Sequence, residues 1–289
     1  MALVAKPAGP TSHDVVDIAR RALGTRRVGH LGTLDPMAEG LLVLVVGRAT
    51  RLAPFAAGWP KRYEGTMRLG TATSTDDATG ELLTTSDAWQ SMDRAQVSAA
   101  LGRFLGAQEQ LPPAHSAVKV GGERAYRRAR RGETVALAPR PVEVHSLELV
   151  DFAPPDVRFR ATVSAGTYLR GLARDVGNAL ACGAHLAALR RTAVGPFELQ
   201  DAVAPDAVTP ASLRDPAVLV AHLPRHDLTS AEREAAVHGR PIEDRETGQG
   251  EGGGGGERGM VALFSEGRLV AVAEAVGEVL KPRVVVSDA

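Results

Sequence analysis

The run Val28-Gly29-His30-Leu31-Gly32-Thr33-Leu34-Asp35-Pro36 decides how the rest of the chain is read. Gly29 and Gly32 free the backbone to approach a partner closely or to take φ > 0. Pro36 pushes Asp35 out of the α region, so its carboxylate is held on an extended turn. Arg26 and Arg27 precede the run, and Gly40-Leu-Leu-Val-Leu-Val-Val-Gly47 follows it. That apolar segment, bounded by glycines, predicts a buried strand. A carboxylate on a Gly-rich loop between a basic segment and a core strand is the layout of a site. The same residues also suit a plain Asp-Pro turn. On the residues alone the two readings of Asp35 stand level.

Working outward, Ala2-Leu3-Val4-Ala5 reads as a short strand ended by Lys6-Pro7-Ala8-Gly9-Pro10. Thr11 and Asp14 have capping-box spacing, with Thr11 or Ser12 opening a helix. Val15, Ile18, Ala19, Ala22 and Leu23 fall on one face of that helix, and Gly24 stops it. Downstream, residues 61–70 alternate as a strand does. Residues 93–106 predict an amphipathic helix, and residues 139–151 and 157–164 read as Val-rich strands. Gly166 ends a strand, and Thr167 is placed to open a helix. The run His185–Phe197 closes this part, and on its residues Leu189 reads as a helix core leucine. Cys182 falls in the Ala-rich stretch before it.

The chain of 289 residues, 44% hydrophobic, can build a sizeable core as one large domain or a large plus a small one. Formal net charge is zero, but residues 1–131 hold 18 Lys and Arg against 12 Asp and Glu, and residues 132–289 hold 16 against 22. A basic half suits a phosphate-contacting face, although ordinary surface variation also covers it. The single cysteine excludes an intrachain disulfide framework and any all-Cys zinc site. His30 has no neighbours at metal-ligand spacing, so no metal is expected. The N-terminus lacks the apolar core of a secretory signal, and no apolar run approaches the roughly 20 residues of a membrane span. A soluble, cytoplasmic protein is expected.

Cations concentrate in Gln110–Gly132, where Lys119, Arg124, Arg127, Arg128, Arg130 and Arg131 face Glu123 alone. A Pro pair and a Gly pair mark the segment as an excursion from the core. Such a run is either a solvated face or, with Tyr126 interleaved, a nucleic-acid arm. After about residue 200 the composition shifts. Asp201–Pro224 is Ala- and Pro-rich and reads as the end of the main domain and a linker. A short helix within 226–238, a low-complexity loop 248–259 and strands at 260–264, 269–273 and 284–286 follow.

The run Gly29-His-Leu-Gly-Thr-Leu-Asp-Pro36 with Ala38-Glu-Gly-Leu-Leu42 resembles the catalytic motif of the TruB family, the bacterial tRNA pseudouridine-55 synthases. The resemblance extends through Lys6-Pro7, the Tyr63 strand, Leu69–Gly80, the basic excursion and Tyr168-Leu-Arg170. It implies an α+β pseudouridine synthase fold, a mixed and mainly antiparallel sheet flanked by helices, over residues 1–219. The basic insertion at about 110–132 would grip RNA. More loosely, residues 220–289 resemble a small PUA-like β-barrel that binds RNA.

The implied reaction is isomerisation of uridine to pseudouridine at position 55 in the T-loop of tRNA, without a cofactor, by a monomer needing no protein partner. Asp35 would be the nucleophile, attacking either uracil C6 or ribose C1′, on a base flipped out of the loop. Arg170 would pair with Asp35, a role for which its neighbour Asp175 is the competing partner. Tyr63 would stack on the base and could take the C5 proton, while His30, Tyr168 and Leu189 would contact the substrate. Lys6 and Pro7 would support the loop. Two rival readings are a pseudouridine synthase of another RNA, and an RNA-folding or RNA-binding protein in which catalysis is secondary.

Overall fold

In the computed structural model, residues 1–287 are described except 117, 121, 126–127, 129–130, 132, 134–135 and 246–258, and of 119, 120 and 124 only the backbone is described. The strands in chain order are β1 (Ala2–Lys6), β2 (Val28–His30), β3 (Glu39–Val46), β4 (Lys61–Leu69), β5 (Thr71–Thr73), β6 (Leu82–Thr85), β7 (Gly106–Gln110), β8 (Lys119–Val120) and β9 (Glu123–Arg124). They continue with β10 (Arg140–Ala153), β11 (Asp156–Val163), β12 (Ala184–Val194), β13 (Phe197–Glu198), β14 (Arg225–Asp227), β15 (Ile242–Glu243), β16 (Met260–Ser265), β17 (Arg268–Val276) and β18 (Val279–Val285). Four longer helices accompany them: α1 (Ser12–Ala22), α2 (Arg94–Gly102), α3 (Leu169–Ala179) and α4 (Ser230–Val237).

The main sheet runs β1-β3-β12-β4-β11-β10-β7, with β2 added beside β3 and β13 beside β12. Every pairing is antiparallel except β3 with β12, so the α+β architecture has a mixed, mainly antiparallel sheet. Leu41, Leu42, Val43 and Leu44 of β3 are wholly buried. Each such side chain contributes about 1.5–3 kcal/mol by leaving water, which anchors the strand that follows the Asp35 turn. Helix α1 starts on a complete capping box between Thr11 and Asp14. Its buried face is Ser12, Val15, Val16 and Ala19, while Ile18 is half-buried and Ala22 exposed. The stripe is turned from the expected one because Ser12 must reach the Asp35 loop. Helix α2 stops at Gly102, earlier than its apolar pattern suggests. Leu105 is left exposed and the chain turns at Gly106, φ 89°, into β7.

Three expectations need correction. Leu189 is on a strand, not a helix: β12, Ala184–Val194, lies between β3 and β4 in the sheet. An Ala/Leu-rich run suits either state, and pairing on both sides decides it. Thr167 does not cap α3; the cap position is Tyr168, whose backbone is held by another side chain. Cys182 sits in the turn after α3, buried, not in the helix, and burial pushes its thiol pKa up.

The segment expected to be a linker is packed structure. Val203 lies along β1, with Ala5 N–H donating to Val203 O at 2.8 Å and Val203 N–H to Leu3 O at 3.0 Å. Leu219 and Val220 are fully buried. They join Leu3, Val43 and Leu52 of the main body to Ala262, Leu269 and Val272 of the C-terminal sheet in one apolar cluster. That sheet has the order β14-β16-β17-β18-β15. This five-stranded sheet curls into a half-barrel, consistent with a PUA-like domain. Helix α4 and the cluster around Leu263, Val270 and Ala273 cover its other face. The glycine-rich loop 248–259 lies, except for Gly259, outside the described residues. No helix among the described residues is long and apolar enough to cross a membrane.

Candidate active site

Asp35 lies on the turn between β2 and β3, and four buried side chains hold that turn from behind. Ser12 Oγ donates to Leu34 O at 3.0 Å and accepts from Leu34 N–H at 2.8 Å. Lys6 Nζ donates to Ala38 O at 2.7 Å and Pro36 O at 3.4 Å. Arg191 is fully buried and donates to Leu41 O at 2.7 Å and to Gly32 O at 3.0 Å. Lys61 packs its ammonium end near Gly32 and donates to Trp59 O at 3.0 Å. Carbonyl oxygens thus satisfy the cations, and a buried charge needs such partners. Burial still draws both lysines down to about 8, with Arg191 adding repulsion.

Arg170 projects from the first turn of α3 and is 5% exposed. Its Nε donates to Asp35 Oδ2 at 2.8 Å and its Nη2 to Asp35 Oδ1 at 3.3 Å. The remaining donors reach Thr75 O and His115 O, each at 2.9 Å. The guanidinium also faces Asp77 Oδ2 at 3.6 Å, so one cation lies between two carboxylates. The second carboxylate is buried and accepts at Oδ1 from Thr75 Oγ1 (2.7 Å), Thr79 Oγ1 (2.6 Å) and Thr79 N–H (2.9 Å). Asp35, by contrast, keeps 37% of its side chain in solvent. The fork compensates its charge and fixes its orientation while leaving it reachable. Asp175 does not compete: it takes Arg174 Nε at 2.9 Å.

Tyr63 on β4 is buried in the same apolar cluster as Leu34, Ala38, Leu169 and Leu189. Sheet pairing sets Tyr63 opposite Arg191 and Gly65 opposite Leu189. Tyr168 is half-buried at the start of α3. The buried Gln110 amide clamps its backbone, accepting from Tyr168 N–H at 2.8 Å and donating to Tyr168 O at 3.0 Å. This clamp fixes the residue at which α3 starts, where no side-chain cap is present. A groove of about 430 Å³ passes Met37 and Leu189, with Glu64, Arg158 and Arg190 on its walls. The fold therefore brings Arg170, Tyr63 and Leu189 to the turn that carries Asp35, with Tyr168 two residues before Arg170 on the same helix start.

His30 stands apart. It ends β2 half-buried, its Nδ1 has no hydrogen-bond partner, and no hydrogen bond or ion pair joins it to Asp35 or Tyr63 among the described residues. Burial, then nearby Arg191 and His13, lowers its pKa.

Of the basic arm, Tyr126, Arg127 and Arg130 and the side chains of Lys119 and Arg124 lie outside the described residues. Arg131 makes a bidentate pair with Glu123 at 2.7 and 2.9 Å, and Arg128 pairs with Glu133 at 2.8 Å. Two of the arm's cations are thus matched internally by carboxylates, one of which, Glu133, lies just past the excursion. The arm's root is tied to α3, since Arg174 donates to Leu111 O and Arg170 to His115 O, both at 2.9 Å.

Sequence reasoning misses Ser12, Asp77, Gln110 and Arg191 as parts of the site. Ser12 is visible there only as a helix cap and Gln110 only as the start of the basic segment. The adjacent Asp76-Asp77 in a Thr-rich loop is the one available signal for Asp77. Arg191 hides in an Arg-Arg pair whose members point to opposite faces once the segment is a strand.

The TruB family pseudouridylate synthase N-terminal domain matches residues 20–169, and the tRNA pseudouridylate synthase B C-terminal domain matches residues 170–223. A protein of Thermobifida fusca named tRNA pseudouridine synthase B is 47% identical over 283 residues, covering 94% of this chain and 93% of that one. One of the same name from Cutibacterium acnes is 52% identical over 216 residues, 72% of this chain and 73% of its own. Among solved structures, the archaeal box H/ACA sRNP Nop10–Cbf5 complex aligns with TM-score 0.71 and 25% identity, over 99% of this chain and 86% of that one. With matches of this extent, and with an Asp turn braced by the Lys6, Ser12 and Arg191 side chains, the chain belongs to the TruB family of pseudouridylate synthases.

Proposed function

We propose that the protein isomerises uridine to pseudouridine in tRNA, at position 55 of the T-loop, with Asp35 as the nucleophile. The reaction is that of its relatives named tRNA pseudouridine synthase B. The observation that supports the assignment of Asp35 is its combination of exposure and restraint: a solvent-reachable carboxylate gripped in two places by a buried guanidinium. The isomerisation breaks the N-glycosidic bond, turns the uracil and closes a C–C bond. No electrons are exchanged with a partner and no group is lost. A carboxylate that adds to the base or to the sugar carbon, and leaves again, supplies the covalent hold during the turn.

The target uridine must leave its stack to reach the Asp35 turn. Tyr63 lies in the wall beside that turn and offers a ring face to the base; Leu189 offers an apolar edge. Tyr168 and His30 are assigned to the approach of the RNA. The arm at 110–132 contributes phosphate contacts, with Arg128 and Arg131 exchanging Glu133 and Glu123 for the RNA backbone. We assign residues 1–219 to the catalytic domain and 220–289 to a PUA-like RNA-binding domain. A monomer acting on tRNA in the cytoplasm completes the reading.

The test is to map pseudouridine in an unmodified tRNA transcript after treatment with wild type and Asp35→Asn. Wild type should modify a single T-loop uridine. The variant should lose product by a factor on the order of 10³ or more while retaining tRNA binding, since the amide keeps the shape but not the nucleophile. Turnover near wild type in the variant removes Asp35 from the mechanism.

A further inference from the structure

The catalytic turn does not absorb the basic pair Arg26-Arg27. Arg27 ends in a depression of about 600 Å³ that it lines with Gly47, Arg48, Thr50 and Arg51. This pocket lies at the far end of β3 from Asp35, where the main body meets β18. Two of its arginines are held there by main-chain oxygens: Arg51 donates to Val285 O at 3.1 Å and to Arg283 O at 3.2 Å, and Arg48 donates to Ser287 O. For Arg51, the carbonyls position the guanidinium without neutralising it, so that charge stays available and the side chain is already ordered. Other surface arginines are matched by carboxylates, as in Arg68–Asp156 and Arg160–Glu64. Neither Arg27 nor Arg51 has an ion-pair partner among the described residues.

We propose that this pocket is a second phosphate site for the RNA, remote from the reacting base. The inference rests on the tRNA reading above. The eight residues of β3 separate the pocket from the Asp35 turn by roughly 23 Å at about 3.3 Å per residue. A stem laid along the direction of β3, at about 3.4 Å or less per base pair, must run roughly seven base pairs from the reacting nucleotide to reach it. A hairpin of about four or five base pairs falls short, whereas the longer stacked helix of an intact tRNA spans the distance. The pocket therefore senses the length of the helix attached to the target loop.

The experiment compares Arg27→Ala and Arg27→Glu with wild type on two RNAs, intact tRNA and a hairpin cut down to the T-stem and loop. The Arg27 side chain makes no hydrogen bond among the described residues, so its replacement leaves the fold intact. For intact tRNA, Arg27→Ala should lower the magnitude of the log–log salt slope by about 0.7–0.9, and Arg27→Glu should weaken binding further, several-fold below the alanine variant. Binding and modification of the short hairpin should match wild type. Unchanged affinity and salt slope for intact tRNA overturn the proposal, as does an equal loss on the hairpin. Failure of the tRNA reading shows separately, as absence of pseudouridine from the wild-type reaction.

Discussion

The Arg170 guanidinium holds the Asp35 carboxylate at both oxygens, 2.8 and 3.3 Å away, across 135 residues of sequence. The same group lies 3.6 Å from the buried Asp77. Removing it therefore strips two carboxylates of one cation. Arg170→Ala should lose about 3–5 kcal/mol of stability, the cost of leaving a buried charge unpaired. Arg170→Lys should recover part of that stability but little activity, because an ammonium cannot keep the planar fork. Thermal unfolding and single-turnover assays on both variants check this. An alanine variant as stable as wild type would show that Asp77 does not depend on the guanidinium.

Gln110 acts on the site through backbone alone. Its amide satisfies both polar groups of Tyr168, two residues before Arg170. Gln110→Ala should cost about 1–3 kcal/mol for the groups left unmade. It should also lower kcat more than it raises KM, since it loosens the start of the Arg170 helix and not the RNA-facing surface. Equal effects on kcat and KM would assign Gln110 to RNA binding instead.

Gly40 is required by contact as well as by conformation. At φ 111° it lies against β12, where an added Cβ would stand 2.3 Å from Arg191 O and 2.6 Å from Arg191 N. Backbone cannot yield as a side-chain tip can. Gly40→Ala should destabilise by about 2 kcal/mol or more and displace the turn carrying Asp35. Denaturant unfolding with an unchanged midpoint would contradict the contact.

Lys61 makes stability depend on pH in the alkaline range. Burial first, then Arg191, lowers its pKa from 10.5 to about 8. Between these values the unfolded chain keeps the proton that the folded chain has released. The contribution of this residue to stability therefore rises as pH goes from about 8 to 10.5. Lys61→Met lacks that rise. The Tm of wild type minus that of Lys61→Met should increase across the window, and a difference independent of pH would show that Lys61 titrates as in the unfolded chain.

Local chemistry is legible in the order of residues alone. Thr11 with Asp14 announces the first helix, the glycine-bounded run 40–47 announces β3, and alternation announces β4. Each signal is carried by neighbours in sequence, within one turn of helix or one pleat. The exposed turn at Asp35 is legible for the same reason, since a Gly-rich stretch ending in Asp-Pro restricts its own backbone.

Tertiary structure decides the rest. Whether 184–194 is helix or strand depends on β3 and β4 lying on either side of it. Arg170 takes Asp35 and Asp77 over Asp175 because the Thr75–Thr79 loop and Arg174 hold the carboxylates where they are, and spacing along a helix cannot report that. In the sequence Arg191 is one of an adjacent Arg-Arg pair with nothing to mark it. Only its place in the sheet makes it the fully buried brace of the Asp35 loop, because a buried guanidinium needs partners to converge on it, here carbonyl groups distant in sequence.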